Sequence, residues 1–258
     1  MPPLSRPEKI RPGEVRPEEV RPEEADRDDA RLRQLRESLA SVRERIGRGC
    51  HAAGRDPAEV TLVVVTKTYP ASDIALLARL GVRDVGENRD GEAALKYDDC
   101  AALGLRWHFI GRLQSNKTRG VARYADLVHS VDRPSVVTAL GRAAVRAGRT
   151  VGCLLQVSLD GDPARGGVPV PGIEALAEAV ALEPGLEVRG LMAVAPLGVD
   201  ARVAFAALPR LRETLLPAHP GARAISAGMS GDLEAALACG ATHLRVGTAI
   251  LGARPPLR

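Results

Sequence analysis

Residues 61–70 read TLVVVTKTYP, a β-branched apolar run that ends in a lysine. Such a run fits a strand buried on both faces, as in a parallel sheet covered by helices. Downstream the pattern recurs: short apolar runs at 62–66, 84–87, 107–110, 127–131, 153–157, 188–192, 224–227 and 243–247 alternate with longer segments. Those at 72–80, 133–147, 173–182, 202–215 and 232–239 have helical composition and length. Eight strands alternating with helices predict an α/β fold, a single closed (β/α)8 barrel of the TIM type. The length of 258 residues lies near the roughly 250 typical of that architecture. A doubly wound open sheet is the competing architecture, because periodicity does not report closure; the count of eight favours the barrel. In such barrels the chemistry sits at the C-terminal ends of the strands, so those eight ends carry the candidates.

Upstream of the first strand, Leu32, Leu35, Leu39, Val42 and Ile46 recur at helical spacing, which places one apolar stripe along an extra N-terminal helix running from Asp26 to a stop at Gly54. The segment before it runs RPEKI, RPGEV, RPEEV, RPEEA from Arg6, with a proline in every unit. Prolines at that spacing exclude helix and strand. Residues 1–25 are therefore expected to be a disordered Pro/Arg/Glu tail, and residues 26–258 one barrel domain.

With 45% hydrophobic residues the chain can bury one sizeable core, yet no apolar run approaches the roughly 20 residues that span a bilayer. The N-terminus lacks the apolar core of a signal peptide, so a cytoplasmic protein without a membrane partner is expected. Cys50, Cys100, Cys153 and Cys239 form no CxxC pair and have no histidine at metal-ligand spacing; free thiols and no metal site are expected. Residues 31–258 hold 30 basic against 23 acidic side chains. Aromatic residues make up only 2%, and no basic tract is interleaved with stacking rings, so this excess reads as a solvated surface and not as a nucleic-acid site. Among 36 basic residues only Lys9, Lys67, Lys96 and Lys117 are lysines. Arginine stays charged and cannot form an imine, which makes a lysine at a strand end conspicuous.

Lys67 follows directly on the first strand and is expected to point toward the barrel mouth. Desolvation there lowers a lysine pKa from about 10.4 and favours the nucleophilic amine; a snorkelling ammonium is the alternative. The second strand leads into Gly86-Glu87-Asn88, and the third into the polar segment 111–117, GRLQSNK. His108 and Asn116 each also read as a core histidine and a helix cap. After the seventh strand comes Ser226-Ala227-Gly228-Met229-Ser230-Gly231-Asp232, where backbone N–H groups and hydroxyls can converge on one anion. The alternative is an ordinary helix capped by Ser230. The eighth strand ends Arg245-Val246-Gly247-Thr248, a second glycine and hydroxyl pair beside the first. Loops after strands seven and eight are the usual phosphate site of these barrels.

In this order the chain carries VVVTKTYP (63–70), VGENR (85–89), WHFIGRLQSNK (107–117), GLMAVAPLG (190–198), SAGMSGDLEAAL (226–237) and HLRVGTAILG (243–252). Over roughly residues 30–252 it resembles the pyridoxal phosphate homeostasis proteins, whose fold is the barrel of the alanine racemase class without its second domain. The resemblance implies pyridoxal 5′-phosphate as cofactor, held as a Schiff base on Lys67. It places Ser226, Gly228, Met229, Ser230, Gly247 and Thr248 around the phosphate, and Arg245 against the pyridine nitrogen. Asn88 and Met192 would line the ring's pocket. Tyr69 stands where many relatives have a second lysine, and Arg165 near where some carry another.

The function so implied is a cofactor-holding protein of intracellular vitamin B6 homeostasis, monomeric and with no catalytic residue assigned. Its partners are pyridoxal phosphate and, as recipients, pyridoxal-dependent apo-enzymes. A guanidinium beside the pyridine nitrogen weakens the ring as an electron sink. The competing reading is an amino-acid racemase using Tyr69 as the opposing base. A third is a Schiff-base aldolase acting on a phosphosugar, which would use the same lysine and phosphate loops.

Overall fold

The computed structural model describes residues 22–253. The tail expected at residues 1–25 lies outside the described residues as far as position 21. From Pro22, the first described residue, the chain is helical, so the helix already includes the four residues before the expected Asp26.

The strands are β1 (Thr61–Val65), β2 (Asp84–Glu87), β3 (Arg106–Phe109), β4 (Leu127–Val131), β5 (Val151–Gln156), β6 (Leu186–Met192), β7 (Ala224–Ser226) and β8 (His243–Val246). All pairings are parallel and sequential, and β8 pairs back onto β1, with Leu62 opposite Leu244 and Val64 opposite Val246. The barrel is closed, and the open-sheet alternative falls. The helices are α1 (Pro22–Ala52), α2 (Ala71–Arg79), α3 (Asp90–Asp99), α4 (Thr118–Tyr124), α5 (Pro134–Arg146), α6 (Ile173–Leu182), α7 (Ala201–Phe205), α8 (Leu208–Leu215), α9 (Leu233–Ala238) and α10 (Thr248–Leu251). The helix expected over 202–215 is thus two, α7 and α8. Pro209 explains the break, because its ring has no N–H to donate and clashes with the carbonyl four residues back, on Phe205.

Alternation along the strands sends one set of side chains into the lumen and the other under the helices. Val64, Val85, Trp107 and Phe109 belong to the buried layer between sheet and helices. One close approach depends on glycine: Gly190 has φ +144 at a register shift in β6, and a Cβ there would lie 1.9 Å from the Ala224 carbonyl oxygen. A side chain at 190 would therefore force β6 and β7 apart.

Helix α1 lays its apolar stripe on the barrel, with Leu35 and Leu39 buried. Its polar side fastens it to α2, α9, α10 and the loop after β7: Arg31 pairs with Asp73 at 2.7 Å and donates to Leu251 O, and Arg45 pairs with Glu234 and donates to Ser230 O at 3.1 Å. Leu35→Ala is expected to cost about 3 kcal/mol through lost transfer energy and the cavity left behind. In urea denaturation the midpoint should fall with an unchanged slope. The four cysteines are free and buried, and burial pushes the Cys153 thiol up to about 12. Among the described residues no helix is long and apolar enough to cross a membrane, and no cluster of three His, Cys, Asp or Glu is spaced for a metal ion.

Candidate functional site

At the C-terminal mouth, Lys67 lines a cavity of about 300 Å³ together with Val65, Tyr69, Ile110, Met229, Ser230, Gly231, Arg245, Gly247 and Thr248. Strand parity explains its direction, since Lys67 follows Val65 on the same face. The turn beyond it is strained: Thr68 has φ +72, the one non-glycine residue with positive φ among the described residues. For a β-branched residue that conformation costs energy and persists only where surrounding contacts enforce it.

Those contacts come from behind the sheet. The Thr68 N–H donates to Glu92 Oε1 at 2.5 Å. Lys96 Nζ donates to Glu92 Oε1 at 2.5 Å, Glu87 Oε1 at 2.8 Å and the Thr66 carbonyl at 2.8 Å. Thr66 Oγ1 donates to Glu87 Oε1 at 2.7 Å. A buried ionic bracket thus grips the chain on both sides of Lys67. Glu87 is fully buried, and burial raises its pKa even though Lys96 and Thr66 pull the other way. Lys96 was legible only as one of four lysines; the signal that marks it is the four-residue spacing from Glu92 on α3.

Opposite Lys67, the loops after β7 and β8 bring their hydroxyls together. Thr248 Oγ1 donates to Ser230 Oγ at 3.2 Å, and the Ala249 N–H reaches the same oxygen at 3.4 Å. Ser230 does not cap α9: Asp232 precedes that helix, and its carboxylate accepts the Met229 N–H at 2.5 Å. A Cβ on Gly247 would stand 3.1 Å from the Val65 carbonyl oxygen, so glycine there lets the β8 loop lie against β1. Gly228 has φ +91, and its carbonyl accepts the Arg245 N–H at 2.9 Å, which ties the two loops.

Arg245 closes the floor. Its guanidinium is buried, donating from Nη1 to Ser226 Oγ at 2.5 Å and from Nη2 to Ala193 O at 3.0 Å, both neutral acceptors. Burial pushes its pKa down to about 10, so it keeps its charge at neutral pH.

The expected residues therefore divide. Lys67, Met229, Ser230, Arg245, Gly247 and Thr248 share one cavity. Ser226 lies beneath it in the lumen, bonded to Arg245 and His129, and Met192 is buried beside it in register. Gly228 shapes the loop from behind, where a Cβ would come within 2.6 Å of Ala236. Asn88 lines a different cavity, of about 530 Å³, with Arg89, Phe109, Arg112, Gln114 and Lys117. Met229 also borders a third, with Gln156, Asp160 and Arg165. Tyr69 is buried; its hydroxyl donates to Gly252 O at 2.8 Å, and the Arg31 guanidinium lies 5.9 Å from its ring centre.

Known proteins share this chain's sequence pattern and fold. Residues 32–255 match the family described as alanine racemase, N-terminal domain. A protein of Mycobacterium tuberculosis named pyridoxal phosphate homeostasis protein is 42% identical over 240 residues, covering 86% of this chain and 93% of its own length. One of the same name from Pseudomonas aeruginosa is 44% identical over 220 residues, covering 85% and 96%. Among solved structures, PipY of Synechococcus elongatus with PLP bound superposes with a TM-score of 0.74 at 35% identity, over 84% of this chain and all of its own. Alanine racemase from Corynebacterium glutamicum shares the fold alone, with a TM-score of 0.63 at 16% identity over 90% of this chain and 63% of its own.

Proposed function

The chain belongs to the alanine racemase N-terminal domain family, and from that premise we propose that it holds pyridoxal 5′-phosphate as a Schiff base on Lys67 and serves vitamin B6 homeostasis without robust catalysis. The observation that carries the reading is the convergence of Lys67, Arg245 and the Ser230 and Thr248 hydroxyls on one cavity. The residues fit the group. Arg245 is a buried cation whose hydrogen-bond acceptors are neutral, so an acceptor ring nitrogen and a nearby phosphate supply what it lacks. Gly247 leaves open a space that a Cβ would fill.

Bound there, pyridoxal phosphate supplies an aldehyde that an amine captures and a ring that can delocalise charge. Lys67 is the amine. Ser230, Thr248 and the backbone of Gly228, Met229 and Gly247 orient the phosphate; Ser226 acts from below through Arg245. Met192, in register with Ser226, would support the ring from below, while Asn88 lines the neighbouring cavity and would act only through the residues between. Arg245 only donates, so it offers no proton acceptor partner that would keep a ring nitrogen protonated, and the ring stays a weak electron sink. Tyr69, the tyrosine that a racemase reading requires as opposing base, already gives its hydroxyl proton to Gly252 O. Holding the aldehyde on a lysine keeps it from other amines until a pyridoxal-dependent apo-enzyme takes it. A cytoplasmic location and a monomeric state belong to the same proposal.

Incubation of the cofactor-loaded protein with single L-amino acids, followed by chiral analysis, tests the holder against the racemase. No sustained turnover is expected. Multiple turnovers that disappear in Tyr69→Phe would overturn the reading and identify the second base.

A further inference from the structure

The lumen beneath Arg245 is not filled as barrel interiors usually are, with layers of branched apolar side chains. Inward positions on β2, β3, β4, β7 and β8 carry Asp84, His108, His129, Ser226 and Arg245, all buried. They form one continuous chain. Arg245 Nη1 donates to Ser226 Oγ; Ser226 Oγ lies 2.9 Å from His129 Nδ1, His129 Nε2 lies 2.9 Å from His108 Nδ1, and His108 Nε2 lies 2.9 Å from Asp84 Oδ1. Asp84 is clamped at the far end by Arg106, through Nε at 2.8 Å and Nη2 at 2.7 Å. That end opens into a further cavity, of about 770 Å³, at the N-terminal mouth of the barrel.

With both rings neutral, the chemistry of the two ends fixes every proton between them. A guanidinium only donates and a carboxylate only accepts. Asp84 is ionised: burial works against its charge, but hydrogen bonds from His108 and Arg106 hold its pKa below the ordinary carboxylate range. His108 must then carry its proton on Nε2 and accept on Nδ1. His129 must donate from Nε2 and accept on Nδ1, and Ser226 must donate to His129 while accepting from Arg245. Each link uses one proton, and all run the same way, from the cofactor mouth to Asp84. Both rings are neutral in this arrangement. The charged groups facing them are Asp84, Arg106 and Arg245, and the neighbouring His243 ring lies 6.2 Å from that of His108 and 6.3 Å from that of His129. Burial pushes His243 down to about 4 and holds His129 well below its usual range, so neither ring adds a charge near neutrality.

We propose that Asp84, His108 and His129 are positioning residues that act through Ser226 on Arg245, forming a one-way hydrogen-bond wire across the barrel. The wire keeps the Ser226 oxygen turned toward Arg245, so the guanidinium is held in one orientation with its remaining N–H groups facing the cavity. Asp232 is the carboxylate whose charge acts on Arg245, so what Asp84 contributes through the chain is the direction of its hydrogen bonds. This role rests on the cofactor reading above, since what Arg245 is positioned for is the ring of pyridoxal phosphate.

The test begins with nitrogen NMR of histidine-labelled full-length protein without cofactor, which does not depend on that reading. His108 and His129 should both carry their proton on Nε2. A proton on Nδ1 of either ring would overturn the wire. Asp84→Ala removes the terminal acceptor, so the two rings should no longer hold the single Nε2–H tautomer, and pyridoxal phosphate should bind about tenfold more weakly. Unchanged tautomers would refute the wire. Altered tautomers with unchanged affinity would refute its positioning role. Should Asp84→Ala not fold, the wild-type spectrum alone decides. Absence of cofactor binding in the wild type would sink the cofactor reading and leave the tautomers to be judged on their own.

Discussion

Lys67→Ala protein is expected to stay colourless with pyridoxal phosphate and to take up no label on borohydride reduction, while the wild type turns yellow and is labelled. The effect is all or none because the bond needs an amine at one place, and the other lysines near the site are committed elsewhere or distant from the cavity. Lys96 points behind the sheet into Glu87 and Glu92. Lys117 lines the separate cavity with Asn88. Binding through the phosphate alone should persist, weakened on the order of a hundredfold, because Ser230, Thr248 and Arg245 remain. Lys67→Arg should behave like the alanine variant despite keeping the charge, since guanidinium does not form the imine. A yellow, reducible Lys67→Arg protein would contradict the assignment.

Lys96→Met is the second large effect, and it bears on stability. The variant leaves Glu87, which is fully buried, with no cation beside it, and removes the donor to the Thr66 carbonyl. Breaking a buried pair in this way costs about 4 kcal/mol at neutral pH, most of it from the charge left behind. The pH dependence follows from the direction of the Glu87 shift. Burial raises its folded pKa above the unfolded value, so its favourable contribution is complete below the unfolded pKa and is lost as pH rises through the folded one. Without Lys96 only the Thr66 hydrogen bond still opposes burial, and the variant should regain stability as the pH falls toward about 5. Urea midpoints at the two pH values measure this. Adding Glu87→Gln to Lys96→Met should recover part of the loss at neutral pH. An equal deficit at both pH values would mean that packing, and not the stranded carboxylate, dominates.

The architecture was legible because it rests on local signals repeated eight times. Runs such as LVVVT and WHFI stand between polar helical segments, and every strand falls within about two residues of its expected place. What was misjudged was a helix break: Pro209 splits the 202–215 segment, because its ring has no N–H to donate and clashes with the carbonyl four residues back. At the site, Lys67, Arg245, Gly247 and Thr248 could be named since they sit at strand ends, where the fold itself concentrates chemistry. The ionic bracket and the lumen wire could not. Glu87 and Lys96 meet through one helix packing on one strand, and Asp84, His108 and His129 meet only once the barrel closes. Each alone reads as an ordinary buried polar residue. The signal was present as polar residues at inward-facing strand positions, but closure is needed to see that they touch.

The central claim is that Lys67 is the tether. Its most direct test is borohydride reduction of the wild-type protein loaded with pyridoxal phosphate, followed by digestion and mass spectrometry of the peptides. A single phosphopyridoxyl group on the peptide carrying TKTYP, at Lys67, is the predicted result; a label on Lys96 or Lys117 in its place, or none at all, would contradict it.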